Sequence, residues 1–408
     1  MMSSLFFFMA RGFSREKNGH FSRPVTRVAV TGVTIGLFTM IVACAVTAGY
    51  KQAIREKVIS MGGHVRVVHY DNNYSYEPVP FSFQDANIAQ WATTPGIEKI
   101  QYTATKAGII KADRQVEGVV LKGVDTSFSW THFSPSIVAG VPLSFADTIP
   151  SPDLLLSSKL SKKLNLTLGD KVRVFFVQDP PMQRSFTVCG IFETHLPDFD
   201  ERFAIADLRH LRKLNQWDST QIGSIEILID DYNDMERVSA TINQCLDYQL
   251  KAESIKETYP GIFEWIDLFD TNVVVLIAIT MIVCIITMIS IFFIIALEQT
   301  ANIGILKTIG MKNRDILSIF MIMATRILFR GAFLGNVAAL ALCFLQQKFH
   351  FFKLNPDTYH VSYIPTLVQP LDIIFINAGV FVACLSILLI PAYYISKRIS
   401  PVQAIRFD

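Results

Sequence analysis

The sequence predicts an α-helical membrane protein with four transmembrane helices, arranged one plus three. A large extracytoplasmic α+β domain of two lobes is inserted between helices 1 and 2. Three observations predict this. Of the 408 residues, 51% are hydrophobic and only 18% charged, with a mean hydropathy of +0.36. The apolar residues gather into four stretches, each long enough for the roughly 20 residues that a bilayer-spanning helix requires. Between the first and second stretch lies a segment, residues 51–267, whose polarity alternates.

The spans come first. Residues 28–50, 271–297 and 373–396 carry no charge. The stretch at 316–347 is long enough but holds Arg326 and Arg330, one helical turn apart on one face. A charge at bilayer depth costs about 2.5–3.5 kcal/mol and usually signals function. The alternatives are that the two arginines snorkel or contact phosphate. With flanks included, the spans are taken as 28–50, 268–297, 316–347 and 370–396.

Lysine and arginine set the orientation. Arg11, Arg15, Lys17, Arg23 and Arg27 precede the first span against one acid, Glu16. Lys307, Lys312 and Arg314 lie in the 298–315 connection, and Lys397, Arg398 and Arg406 lie in the 397–408 tail. These segments are expected in the cytoplasm, with residues 51–267 and the 348–369 loop outside. Residues 1–27 are expected to be a cytoplasmic amphipathic segment. In "MMSSLFFFMARGF" the basic residues follow the apolar core and no small-residue cleavage site precedes Arg11, which argues against a signal peptide. Residues 4–13 read as an interfacial helix, a disordered tail being the alternative.

The outer segment alternates in the manner of strands at 64–70, 97–112, 114–125, 170–177, 184–194 and 224–230. Helices fit 84–91, 157–164, 205–214 and 234–249, the last placing Met235, Val238, Ile242 and Cys245 on one face. The second lobe is expected near 115–220. Cys189 and Cys245 lie outside, where a disulfide is allowed, and spacing does not decide whether they meet.

Chemistry is sparse. "ETHLPDFDER" gathers Glu193, His195, Asp198, Asp200 and Glu201, but lacks the alternation and glycine of a calcium loop and reads as a solvated connection, so no metal is expected. No GxSxG, HExxH or GxxxxGK[ST] occurs. A net charge of +2 suggests no nucleic-acid partner. The chain reads as a non-catalytic subunit without a cofactor of its own.

The connection after the second span, "EQTANIGILKTIGMKNRD" (298–315), reads as a short amphipathic helix stopped at Gly310. Ile303, Leu306 and Ile309 supply an apolar edge and Lys307 a polar rim. Burying two or three such side chains is worth about 4–6 kcal/mol before binding costs. A helix lying on lipid headgroups is the alternative.

One span, a large outer segment, then three spans, with "IGILKTIGMKNRDILSIFM" (303–321) and "PVQAIRF" (401–407), resembles the FtsX/MacB-like permeases of ABC transporters. Within that superfamily the chain resembles the lipoprotein-releasing, Lol-type permeases. The likeness is carried by "LFFFMARGF" (5–13), "VAVTGVTIGLFTMIVACAVTAGYKQAIREKVISMGGHVRV" (28–67), "LKGVDTSFSW" (121–130), "LLLSSKLSKKLNLTLGDKVRVFF" (154–176), "RSFTVCGIFET" (184–194) and "LLIPAYYISKRISPVQAIRFD" (388–408).

The resemblance implies a partner. In such permeases the segment after span two couples to a separate ATPase, present in two copies, which binds the ATP and magnesium. Glu298, Ile303, Gly304, Leu306, Lys307 and Gly310 are the matching positions here. It further implies pairing with a second permease, identical or different, and mechanical transmission to the outer domains. The implied cargo is an acylated lipoprotein of the inner membrane's outer leaflet, held in an apolar cavity expected near Val46, Ile54, Ile262, Phe263, Ile266 and Phe269. Packing of span against span is the alternative for each. A periplasmic chaperone is the implied acceptor, with the turn at Pro180, Pro181 and Met182 as its contact or as an ordinary tight loop. Efflux of drugs or peptides, as in MacB-like permeases, and transmembrane signalling, as in FtsX-like ones, are the competing functions.

Overall fold

The computed structural model describes residues 22–72, 76–112, 115–145 and 149–398. The expected helix at 4–13 and the 401–407 motif lie outside them. The chain forms two units, one of Met1–Lys51, Ile266–Lys353 and Tyr363–Asp408, the other of Gln52–Trp265 and Leu354–Ser362.

Among the described residues, four helices are long and apolar enough to cross a membrane. They are α1 (Ser22–Gly62), α9 (Pro260–Glu298), α11 (Asn313–Phe349) and α13 (Pro370–Arg398). The shorter helices are α2 (Ile88–Trp91), α3 (Trp130–Phe133), α4 (Ser158–Leu164), α5 (Pro197–Asp200), α6 (Leu208–Asn215), α7 (Met235–Cys245), α8 (Ile255–Thr258), α10 (Thr300–Thr308) and α12 (Pro356–Tyr359).

In the first unit, glycines let helices approach closely, as van der Waals packing between membrane helices requires. A Cβ on Gly36 of α1 would lie 2.2 Å from Cys284 Sγ of α9, and one on Gly32 would lie 3.0 Å from Thr287 Cγ2. Another flank of α1 meets α11, where a Cβ on Gly331 would lie 2.7 Å from the Val33 side chain and one on Gly335 2.8 Å from the Thr34 carbonyl. Thr34 Oγ1 donates to the Gly331 carbonyl at 3.2 Å. Leu37, Met40, Leu328 and Val380 fill the core between these seams. Helices α11 and α13 are joined by a reciprocal amide pair. Asn336 Nδ2 donates to Asn377 Oδ1 at 2.8 Å, and Asn377 Nδ2 donates to Asn336 Oδ1 at 2.9 Å. The same two amide groups donate to the carbonyls of Ala332 and Ile373, four residues back on their own helices.

The second unit is an α/β fold. Its strands are β1 (Val65–His69), β2 (Phe81–Ser82), β3 (Ile97–Ala112), β4 (Gln115–Val124), β5 (Ile137–Gly140), β6 (Asp153–Ser157), β7 (Lys171–Phe176), β8 (Met182–Phe192), β9 (Phe203–Asp207), β10 (Gln221–Ile222), β11 (Ser224–Ile229) and β12 (Leu250–Ser254). Ten of them form one hydrogen-bonded sheet in the order β12-β1-β11-β3-β4-β9-β6-β8-β5, with β7 pairing β3 and β8. The long β3 makes this possible, since its first half pairs β11 and its second half pairs β4. The β4–β9 and β6–β8 pairs are parallel. Strands β6 and β9 accordingly read as buried, largely apolar runs rather than alternating ones.

Helix α6 covers the sheet with Leu208, Leu211 and Leu214, started by Asp207, whose side chain accepts from Arg209 N. Helix α7 buries Met235, Val238 and Ile242. Two expectations are corrected here. The helix expected from residue 205 begins at Leu208, because 203–207 is strand β9, and the helix expected at 84–91 is only Ile88–Trp91.

Candidate functional site

Helix α10 follows α9 after Gln299 and ends at Thr308. Its carboxyl end turns back because Gly310 adopts φ +97°, a conformation other residues resist, so that Gly310 N donates to Lys307 O and Met311 N to Leu306 O. The expected partner-facing edge is revised. Ile303 is 1% exposed, Gly304 is buried, and Ile303 and half-buried Leu306 pack on Ile316, Ile319, Phe320 and Met323 of α11. The apolar side chains that point outward are Ile305 and Ile309, 51% and 78% exposed. Lys307 is half-buried, and desolvation lowers its pKa. Glu298 is half-buried, with a buried Oε2 that finds no hydrogen-bond partner among the described residues.

The first unit also contains an open groove of about 380 Å³ between α1 and α9. Phe38, Val42 and Val46 line it from α1, and Phe269, Val273 and Leu276 from α9. Their spacing, every fourth residue on α1 and 269/273/276 on α9, is one face of each helix. At one end the Phe269 ring meets Tyr50 at 5.1 Å, and Lys51 Nζ bonds Asp270 and lies 3.8 Å from Asp267. The structure therefore brings Val46 and Phe269 together, but not the rest of the expected cavity. Ile54, Phe263 and Ile266 are buried and Ile262 is half-buried, and none of the four lines this groove. No periodic signal in the sequence marked Phe38, Val42, Val273 and Leu276, because these helices are apolar all round there.

The turn between β7 and β8 leaves Pro180 and Pro181 exposed and Met182 half-buried at the start of β8, paired with Phe176. Cys189 and Cys245 are both free. Arg326 is half-buried and Arg330 exposed on α11.

The 193–202 loop is not solvated as expected. Asp200 is fully buried and accepts from Thr194 N, Thr194 Oγ1 and His195 N at 2.9, 2.7 and 2.7 Å. Burial raises its pKa against the lowering effect of those bonds. Among the described residues no group of three or more His, Cys, Asp or Glu side chains converges as a metal site.

Sequence reading also missed a buried ion pair. Lys122 Nζ of β4 donates to both carboxylate oxygens of Glu226 of β11 at 2.7 Å, and to the Met61 carbonyl. Thr103 of β3, lying between them, donates to Glu226 Oε1 at 3.2 Å. Burial pushes the Lys122 pKa down, with Glu226 opposing.

Four bilayer-length helices and one large α/β unit define an integral membrane protein. The chain belongs to the family with the MacB-like periplasmic core domain, whose model matches residues 26–244, and residues 274–398 match the FtsX-like permease C-terminal model. Among proteins it is similar to the lipoprotein-releasing system transmembrane protein LolC of Neisseria meningitidis, 23% identical over 97% of each chain. It is likewise similar to LolE of Haemophilus influenzae, named as the same system's transmembrane protein, 18% identical over 93% of this chain and 92% of that one. Among solved structures it is similar to the periplasmic region of MacB from Actinobacillus actinomycetemcomitans, 15% identical with a TM-score of 0.35, covering 51% of this chain and 97% of that chain.

Proposed function

We propose that this chain is the permease subunit of an ABC transporter that extracts lipoproteins from the outer leaflet of a bacterial inner membrane. The likeness to LolC and LolE, over more than nine-tenths of this chain, carries the reading. In this reading α1 crosses first, the α/β unit is periplasmic, with its inserted lobe near 115–220, and α9, α11 and α13 cross after it. The chain is not an enzyme. ATP and magnesium belong to a separate ATPase, and two permeases, identical or different, pair around the cargo. A periplasmic chaperone takes the cargo, with Pro180, Pro181 and Met182 as its proposed contact.

Two features support the mechanics. Ile305 on the short α10 and Ile309 just past its end are exposed, and burying both in an ATPase groove is worth about 3–6 kcal/mol before binding costs. The α1–α9 groove is apolar and open, as an acyl chain worth about 0.8 kcal/mol per buried CH₂ requires. Closure of the ATPases pushes α10, and the push reaches the groove along α9.

The test is purification in mild detergent. An ATPase and a trapped acylated protein should accompany the chain. Ile305→Asp with Ile309→Asp should strip the ATPase, and Val46→Asp with Val273→Asp should empty the groove while the ATPase stays. An ATPase stimulated by drugs or peptides and indifferent to lipoproteins would overturn the reading in favour of efflux.

A further inference from the structure

The connection between α11 and α13 contains a small closed loop, residues 354–362, that folds with the α/β unit. Leu354 N donates to Ser362 O at 3.0 Å, which joins its two ends. Asn355 caps α12 inside it by accepting from Asp357 N at 3.1 Å. Tyr359 N and His360 N then donate to the carbonyls of Asn355 and Pro356.

Four contacts hold this loop in its unit. His360 Nδ1 donates to the His195 carbonyl at 2.8 Å, a bond whose direction is fixed because a carbonyl only accepts. Ser362 Oγ lies 3.3 Å from His195 Nε2. Lys57 Nζ, near the end of α1, donates to the His360 carbonyl at 2.6 Å. The Trp265 ring meets the His360 ring edge-on at 5.6 Å. The receiving surface is itself fixed, since buried Asp200 grips the His195 amide. His195 and His360 both sit at positive φ, +61° and +59°, where a non-glycine residue is strained unless its surroundings hold it.

We propose that residues 354–362 are a strap that fastens the α11–α13 connection into the α/β unit and carries force along it, with His360 as the buckle. A nine-residue surface loop needs none of these bonds to join two helices. The strap gives the last two long helices their own mechanical line to the α/β unit, separate from the covalent continuations of α1 and α9. Its force-carrying part rests on the transporter reading above; its docking does not.

The experiment uses the full chain in lipid nanodiscs and reads amide hydrogen exchange. In His360→Ala, and in His360→Ala with Lys57→Met, exchange at Tyr359 and His360 or its replacement should rise tenfold or more, with β3 and β11 unchanged as the control for folding. Unchanged exchange in both variants overturns the docking. In the complete complex, lipoprotein release by either variant should fall at least fivefold while ATP hydrolysis stays within twofold. Wild-type release from a variant whose strap exchanges freely overturns the force-carrying role. A wild-type complex that releases no lipoprotein overturns the transporter reading and that role together, and leaves the exchange result standing.

Discussion

Lys122→Met should destabilise the α/β unit severely, and the structure says by how much. Lys122 and Glu226 are 2% and 4% exposed, so the pair is desolvated on both sides. Removing the cation leaves Glu226 buried with the Thr103 hydroxyl still donating to Oε1. Breaking a buried pair in this way costs about 3–5 kcal/mol. Arg66, which faces Glu226 in the β1–β11 register, softens the loss and favours the lower end. For a unit of this size, each kcal/mol moves Tm by about 2–4 °C, so a fall of roughly 6–12 °C is expected. Thermal unfolding of the full chain in detergent, followed by the fluorescence of Trp91 and Trp130, measures it. The double variant Lys122→Met with Glu226→Leu should recover most of the loss, because an apolar replacement of both charges is often neutral or better. A single variant within ~2 °C of wild type, or a double variant no better than the single, refutes the argument that desolvation dominates at this pair.

Other outcomes are open to measurement. His64 accepts the Ile229 N–H through Nδ1, and burial, aided by His132, pushes its pKa down to about 4. The unfolded chain therefore binds a proton from pH 6.5 downward that the folded one refuses, so stability should fall by about 3 kcal/mol between pH 6.5 and 4 and level off below. His64→Gln should flatten that slope in a pH series of melts. Gly335→Ala drives a methyl against the Thr34 carbonyl and should cost about 1–3 kcal/mol in detergent-titrated unfolding, while Gly118→Ala, with nothing within 4 Å, should change stability by less than ~0.5 kcal/mol. Asn336→Leu or Asn377→Leu alone should cost about 0.6–1.7 kcal/mol in the same assay, and the double variant less than the sum.

Much of the fold was legible because some segments leave no choice. β3 was read at 97–112 from its β-branched alternation, and it occupies Ile97–Ala112. The four apolar stretches became four long helices. β9 was not legible, because "IADLRHLRKL" (205–214) reads as one helical run and only pairing with β4 and β6 turns its first three residues into the end of a strand. The α1 and α9 groove face was half-legible for a related reason. Helices that are apolar all round carry no period to say which side is open, so the sequence could not separate groove-lining Val46 and Phe269 from buried Ile54 and Phe263. On α10 both flanks are apolar, and only the presence of α11 decides that Ile303 turns inward and Ile305 outward. The Lys122–Glu226 pair joins residues more than a hundred positions apart, and no local pattern announces it.

The two glycine seams on α1 also bear on how the molecule is made. α1 is the earliest of the long helices to leave the ribosome, yet the surfaces that cover Gly32 and Gly36 belong to α9 and those that cover Val33 and Thr34 belong to α11. With ~250 residues still to be translated at about 5–20 residues per second, α1 waits on the order of 10–50 s before its first neighbour arrives. Through that interval its exposed backbone notches face lipid alone, which makes the newborn chain a client for any insertion factor able to shield a lone helix.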